Sequence, residues 1–319
     1  MKDLENEQND LTLEKRNNPA MISIVGLFAI FMMAGPFLIM SNKFILSSVG
    51  FHFPLSLSLI TLLFTWFACW AYVKISGNKW KHQQTLNYDF YVYNVLPIGA
   101  LSACTIVLGM ASYLYLTVSF IQMLKAFTPV MTMIGLVMFR LDSPSQNAML
   151  CVLMISFGTA VAGYGELNFS IVGVLCMLSA QVAEAMKLVY TQVVLTKGKL
   201  GVFETVYYVT PASAACVFLC AFVMEFPKMT YEDVMLIYDN KFIFLNSCIL
   251  AILTQTINTV VIQYSSALVL KLTATARNAL LILFNAMVLG EIVSFGQIFG
   301  YIISIFGFGM YNYVKSNKL

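Results

Sequence analysis

Charge is scarce. Asp, Glu, Lys and Arg make up 10% of the 319 residues, against about 25% in an ordinary soluble domain. So little charge cannot clothe a water-facing surface, which excludes a soluble enzyme, a nucleic-acid binder and a disordered scaffold. Histidine is scarcer still, with His52 and His82 alone, and both fall outside the apolar stretches. The seven cysteines lie inside apolar stretches and form no C-x-x-C pair. A zinc site is therefore not expected, and neither is a disulfide framework, which needs cysteines in extracellular loops. No His/Asp, Cys/His or paired-carboxylate set falls within the apolar runs, so no catalytic residues, metal or cofactor are assigned.

Long hydrophobic runs are what the chain does have. Sixty per cent of it is hydrophobic and mean hydropathy is +0.81. A bilayer-crossing helix takes about 20 apolar residues. Reading the runs between polar punctuation predicts ten spans, at 20–45, 53–74, 90–114, 117–140, 145–164, 171–196, 202–225, 242–263, 266–290 and 294–314. Eleven Lys and Arg residues fall in the N-terminal tail, the even-to-odd loops and the C-terminus; the opposite loops hold only Lys228 and Lys241. The positive-inside bias then puts both termini in the cytosol. Residues 1–19 carry five acids and no apolar run, unlike a signal or transit peptide.

The 119–140 segment slides onto 266–287 at an offset of 147 residues, close to half the chain. Two five-span halves, 20–165 and 170–315, must have opposite orientations because five is odd. Inverted repeats around a central site are a common transporter plan. The fold class expected is all-α: ten transmembrane helices in two inverted repeats. Pro36, Pro97, Pro129 and Pro211 fall inside spans, where each should kink its helix and free a carbonyl. Gly158, Ala162 and the Gly163–Tyr164–Gly165 run in span five, with Gly296-x-x-x-Gly300 in span ten, predict close packing of those two helices, with a homodimer interface as another use of that face.

The chemistry resides in cations placed deep in spans. Lys125 in span four needs an anion or a wet cavity, because a centred cation costs about 2.5–3.5 kcal/mol on insertion scales. Gln122 and Thr128 share its face, and Pro129 frees its carbonyl. Arg277 in span nine offers a guanidinium fork suited to phosphate, with Asn278 beside it and Thr273 one turn earlier. Lys187 in span six follows Glu184 by three residues, so the two can neutralise each other on one face. Lys271 and Lys43, near helix ends, are expected to snorkel. Tyr207 and Tyr208 stand at the Pro211 kink, where one could stack on a base or sugar. With Glu184 the only deep carboxylate, the interior carries surplus positive charge, which a travelling anion would neutralise. Loaded sites close and empty ones resist closing, which makes exchange obligatory.

Several strings then form a pattern: S-N-K-F-I-L (41–46), S-F-I-Q-M-L-K-A-F-T-P-V (119–130), S-F-G-T-A-V-A-G-Y-G-E (156–166), A-E-A-M-K-L-V-Y-T-Q (183–192), Y-Y-V-T-P (207–211) and S-S-A-L (265–268). In this order they resemble the triose-phosphate/nucleotide-sugar transporter family. The resemblance implies the drug/metabolite transporter fold and exchange of a phosphorylated sugar or nucleotide sugar for phosphate or a nucleotide monophosphate. Lys125 matches the family's fourth-span lysine, Arg277 stands where a ninth-span lysine is usual, and Lys187 replaces a frequent arginine. Chloroplast-type triose-phosphate members carry a Lys-Arg pair in span nine and a histidine in span four, where this chain has Arg277-Asn278 and Gln122. That departure favours nucleotide-sugar antiport in a Golgi or ER membrane. The alternatives are a sugar-phosphate/phosphate exchanger in a plastid-type membrane and a non-transporting receptor on the same fold. The partners expected are an anionic small molecule and the bilayer, with no nucleic acid.

Overall fold

The computed structural model describes residues 32–76, 88–116, 127–162, 170–198, 200–277 and 295–316, together with Ile121, Leu124 and Lys125. Among these residues every regular element is helical. In chain order they are α1 (32–47), α2 (Pro54–Ser76), α3 (Tyr88–Tyr113), α4 (Thr128–Met138), α5 (Gln146–Ala162), α6 (Ile171–Lys197), α7 (Val202–Met224), α8 (Tyr231–Asp239), α9 (Lys241–Tyr264), α10 (267–277) and α11 (Phe295–Ser316). Five helices, α2, α3, α6, α7 and α9, are long and apolar enough to cross a bilayer; α4 and parts of α5 and α11 form shorter apolar helices. Bulky apolar side chains such as Phe157, Leu219 and Phe222 point outward, as they do where the surroundings are lipid.

The 27-residue α6 is the axis of the molecule. Its Val189 joins a cluster with Leu136 of α4, Ile155 of α5, Leu272 of α10 and Tyr311 of α11. Its Leu195 packs with Ala34 of α1, Ile257 of α9 and Leu270 of α10. Its Val194 meets Val95 and Ile98 of α3 and Val209 of α7. On the far flank, α2, α3 and α7 pack through Leu59, Ala103 and Val217. The buried side chains of α6 therefore have neighbours from several helices, and a polar one there can be shared among them.

Proline placement differs from expectation at two points. Residues 117–140 do not form one kinked helix: Phe127 is a turn residue, and Pro129 stands in the first turn of α4, where its missing N–H goes unneeded. In α3, the residues just before Pro97 form a π-turn, Tyr91–Val95, which widens the backbone where the proline cannot donate. Pro211 does lie inside its helix, as expected. The stretch after α7, read as a loop, contains the short helix α8, started by Asp233, whose carboxylate accepts from Thr230 N–H at 2.8 Å and from its hydroxyl at 2.7 Å.

Helices α5 and α11 pack backbone to backbone. A Cβ on Gly158 would lie 2.7 Å from the Gly300 carbonyl oxygen, and the Ser304 hydroxyl donates to the Ile155 carbonyl at 3.0 Å. Gly307 continues the seam against Ile155, whereas Gly296 faces open space, so the seam runs through Gly300, Ser304 and Gly307 instead of Gly296. The seam occupies the Gly158 face, so that face is unavailable to a second copy. Residues 163–165 lie outside the described residues.

Two long-range caps fix the helix ends. The buried Glu225 carboxylate, at the end of α7, accepts from the N–H groups of Leu55 and Ser56 and from the Ser56 hydroxyl, each at 2.7 Å. An anion at a helix start satisfies orphan donors and complements the dipole. Gln192 of α6 likewise accepts from Ala267 N–H at 2.7 Å, at the start of α10.

Candidate functional site

Glu184 and Lys187 are one turn apart on α6, so they share a face. Glu184 nevertheless spends its carboxylate elsewhere: Oε1 lies 2.6 Å from Lys271 Nζ on α10. Lys271 is thus an inward-facing, ion-paired residue, and the expectation that it snorkels is overturned. Its position near a helix end concealed the cause, which is that α10 starts against Gln192 near the end of α6 and carries Lys271 back to Glu184. Lys187 and Lys125 also lie within electrostatic range of Glu184. Three lysines therefore share one carboxylate.

Lys187 lines a cavity of about 270 Å³ bounded by six helices, α1, α2, α3, α6, α7 and α9. Leu38 comes from α1, Thr61 from α2, Ser102 from α3, Ser213 from α7 and Asn258 from α9. An ammonium in a recess between helices, with its helix neighbour Glu184 engaged by another lysine, attracts anions more strongly than one in bulk water does.

Lys125 sits at the break before α4. Its Nζ lies 3.3 Å from the Tyr113 hydroxyl and over that ring, 5.6 Å from the centroid. Its carbonyl, which Pro129 cannot engage, accepts the Thr128 hydroxyl proton at 2.7 Å. The same Thr128 oxygen contacts the Gln181 side-chain amide. A hydroxyl has one proton, so Thr128 gives it to the Gln181 amide oxygen or to the Lys125 carbonyl, one at a time. Thr128 is thereby a buried splice holding Lys125 to α6, and it does not line the cavity.

Arg277, the last described residue of α10, is buried, its guanidinium laid on the backbone of Gly35 in α1. A Cβ at Gly35 would lie 2.4 Å from Nη1, a clash that only glycine avoids. Thr273, one turn earlier on the same face, is buried as well. Tyr207 and Tyr208 meet edge to face at 5.1 Å, and the Tyr208 carbonyl accepts from the Tyr91 hydroxyl at 3.4 Å. It is Val209 and Ser213 of α7, not these tyrosines, that line the cavity. Gln122 and Asn278 lie outside the described residues. The structure therefore places Lys271 on Glu184 with Lys187 and Lys125 within electrostatic range, while Arg277 lies apart against α1 and Thr273 is buried one turn before it.

Sequence reasoning passed over α9. Thr254, Gln255 and Asn258 of that helix line the cavity. The signal was present as the polar run T-Q-T-I-N-T (254–259) inside an apolar span; carrying no formal charge, it drew no attention.

The comparisons fit this geometry. The model of the Triose-phosphate Transporter family matches residues 8–312. One probable sugar phosphate/phosphate translocator of Arabidopsis thaliana is 35% identical over 277 residues, covering 85% of this chain and 81% of the relative. A second, also from Arabidopsis thaliana, is 33% identical over 283 residues, covering 87% and 82%. A solved structure described only as "Crystal structure of protein" superposes with a TM-score of 0.62 over 91% of this chain and 97% of that one; at 16% identity it shows a shared fold. With a family match spanning nearly all of its length and relatives above 30% identity, the chain is an integral membrane protein of the triose-phosphate transporter family, a family of transporters and not of enzymes.

Proposed function

We propose that the protein exchanges a sugar phosphate for inorganic phosphate across its membrane, binding the phosphate group at Lys187. The observation that carries this reading is Lys187 itself, lining a cavity between six helices that also presents hydroxyl and amide groups, while the nearby Glu184 is ion-paired to Lys271. A phosphate supplies the negative charge that the three-lysine cluster is short of, and an ammonium binds it as a point charge. Lys125 contributes long-range attraction from the α4 break. Arg277, seated on Gly35, is the second candidate phosphate donor should α1 and α10 shift together during the cycle.

Two observations favour sugar phosphate over the nucleotide-sugar cargo expected from the Gln122 and Arg277-Asn278 departures. The similar proteins are sugar phosphate/phosphate translocators by name. The cavity, at about 270 Å³, falls just below the roughly 300–1,000 Å³ of drug-sized sites, which suits a small ester better than a nucleotide diphosphate sugar. Without a nucleotide-sugar cargo, the reason for a Golgi or ER location lapses too. Purified protein in proteoliposomes loaded with phosphate tests the proposal. External triose and hexose phosphates should compete for labelled phosphate uptake, and nucleotide monophosphates such as UMP and GMP should not. Competition by UMP or GMP alone would restore the nucleotide-sugar reading.

A further inference from the structure

The hydroxyl groups around the cavity can be followed proton by proton. Six of them donate to carbonyls on their own helices. On α2, Ser58 donates to Pro54 O at 2.8 Å, Thr61 to Ser58 O at 2.8 Å and Thr65 to Thr61 O at 2.7 Å. Ser102 on α3 donates to Ile98 O at 2.7 Å, Thr191 on α6 to Lys187 O at 2.8 Å, and Thr259 on α9 to Gln255 O at 2.9 Å. Each hydroxyl has one proton and two lone pairs. With the proton committed to the helix, only lone pairs remain for whatever occupies the cavity.

That leaves the cavity with two chemically different kinds of lining group. An ionised phosphate is itself all acceptor, so the lone pairs of α2 and α3 repel it and the Lys187 ammonium draws it. Helix α9 adds groups that both donate and accept. The side-chain amides of Gln255 and Asn258 are half-buried and make no hydrogen bond among the described residues, and the Thr254 hydroxyl is buried without a partner. The buried Thr254 oxygen costs free energy until something bonds to it, and the half-buried amides are free to bond an occupant. A group matching an acceptor-rich wall must bring O–H donors, and a run of alcohol groups does so.

We infer that the α2–α9 wall is a polyol subsite, with Gln255 and Asn258 its specificity-determining residues, so that the cavity takes phosphate esters with free hydroxyl groups and rejects esters without them. The inference rests on the phosphate-exchange reading and adds the class of ester. Its physical basis is asymmetric: a site built to bond a hydroxyl strongly rejects the analogue lacking it, because its own polar groups are then stranded.

The test uses a matched pair of probes in proteoliposomes loaded with inorganic phosphate. Glycerol 3-phosphate has free hydroxyls; n-propyl phosphate has the same chain and charge and none. In the wild-type protein, glycerol 3-phosphate should compete with labelled phosphate at a concentration at least about tenfold lower than n-propyl phosphate does. Asn258→Leu and Gln255→Leu should narrow that gap to about threefold or less while phosphate-for-phosphate exchange continues. Asn258→Ala, smaller, uncharged and unable to hydrogen-bond, guards against overpacking by leucine and should narrow the gap as well. Equal competition by the two probes, or an unchanged gap in all three variants, overturns the inference and leaves phosphate exchange standing. Loss of phosphate-for-phosphate exchange in variants that melt like the wild type also overturns it, because these residues would then serve the phosphate itself. No phosphate uptake by the wild-type protein would remove both readings together.

Discussion

The Lys271 ammonium of α10 lies 2.6 Å from the Glu184 carboxylate of α6, although residue 187, one turn away on α6, is also a lysine. This pairing across helices leaves Lys187 as the cationic side chain at the cavity. It also makes Glu184 sensitive to what the cavity holds. Glu184→Gln should strand Lys271 in a partly buried place, at a cost between the roughly 1 kcal/mol of an exposed pair and the about 3–5 kcal/mol of a buried one. The variant is expected to melt well below the wild type in detergent, and millimolar phosphate should recover more of the lost melting temperature than it adds to the wild type, because an anion replaces the missing partner. Equal phosphate shifts in both proteins would mean that Glu184 does not face the anion site.

Gly35 and Arg277 offer a second test. The atom that a Gly35 side chain would strike is the end of a flexible arginine, so Gly35→Ala should fold and merely displace the guanidinium. If Arg277 assists phosphate binding, this variant should raise the KM for phosphate several-fold with little change in melting temperature. An unchanged KM would leave Arg277 a structural residue.

The α5–α11 seam predicts opposite outcomes for two glycines. At Gly158 an added Cβ meets backbone that cannot turn aside, so Gly158→Val should cost about 3 kcal/mol or more and lower the yield of folded protein. At Gly296 there is open space, so Gly296→Ala should be neutral or stabilising by up to about 1 kcal/mol. Thermal melts of the two variants check both.

Outside the spans, Asp233 is held below the usual carboxylate range by the Thr230 N–H and hydroxyl bonds, with His52 adding a smaller attraction. A depressed folded-state value means the cap is intact at neutral pH and is lost as pH falls through the acid range into that lowered value. Amide exchange in α8, corrected for intrinsic rate, should quicken as the solution is acidified toward pH 3, and Asp233→Asn should show fast exchange at neutral pH already.

Much of the fold was legible because lipid imposes long apolar helices, and their runs survive any detail of packing. Spans two, three, six, seven and eight fall close to α2, α3, α6, α7 and α9. What sequence could not supply was anything decided by neighbours. Pro129 begins a helix instead of kinking one, because the chain turns at Phe127 and Thr128 takes up the stranded carbonyl. Lys271 pairs inward because α10 starts against Gln192 near the end of α6 and carries it back to Glu184. Of the site, Lys187 and Glu184 could be named from spacing alone, but the choice of Glu184's partner is a tertiary fact. The uncharged wall of α9 lay in plain view and was discounted because amides and hydroxyls look innocuous until a cavity surrounds them.

The central claim is that Lys187 binds a travelling phosphate in a cavity that resists closing when empty. Initial uptake of labelled phosphate into proteoliposomes loaded with a triose phosphate, against uptake into empty ones, tests it most directly, with wild type and Lys187→Ala side by side. Loaded vesicles should take up phosphate at least about tenfold faster than empty ones, and the alanine variant, folded as judged by its melting curve, should lose about a hundredfold of that rate. Equal uptake by loaded and empty vesicles, or an alanine variant that exchanges like the wild type, would contradict the account.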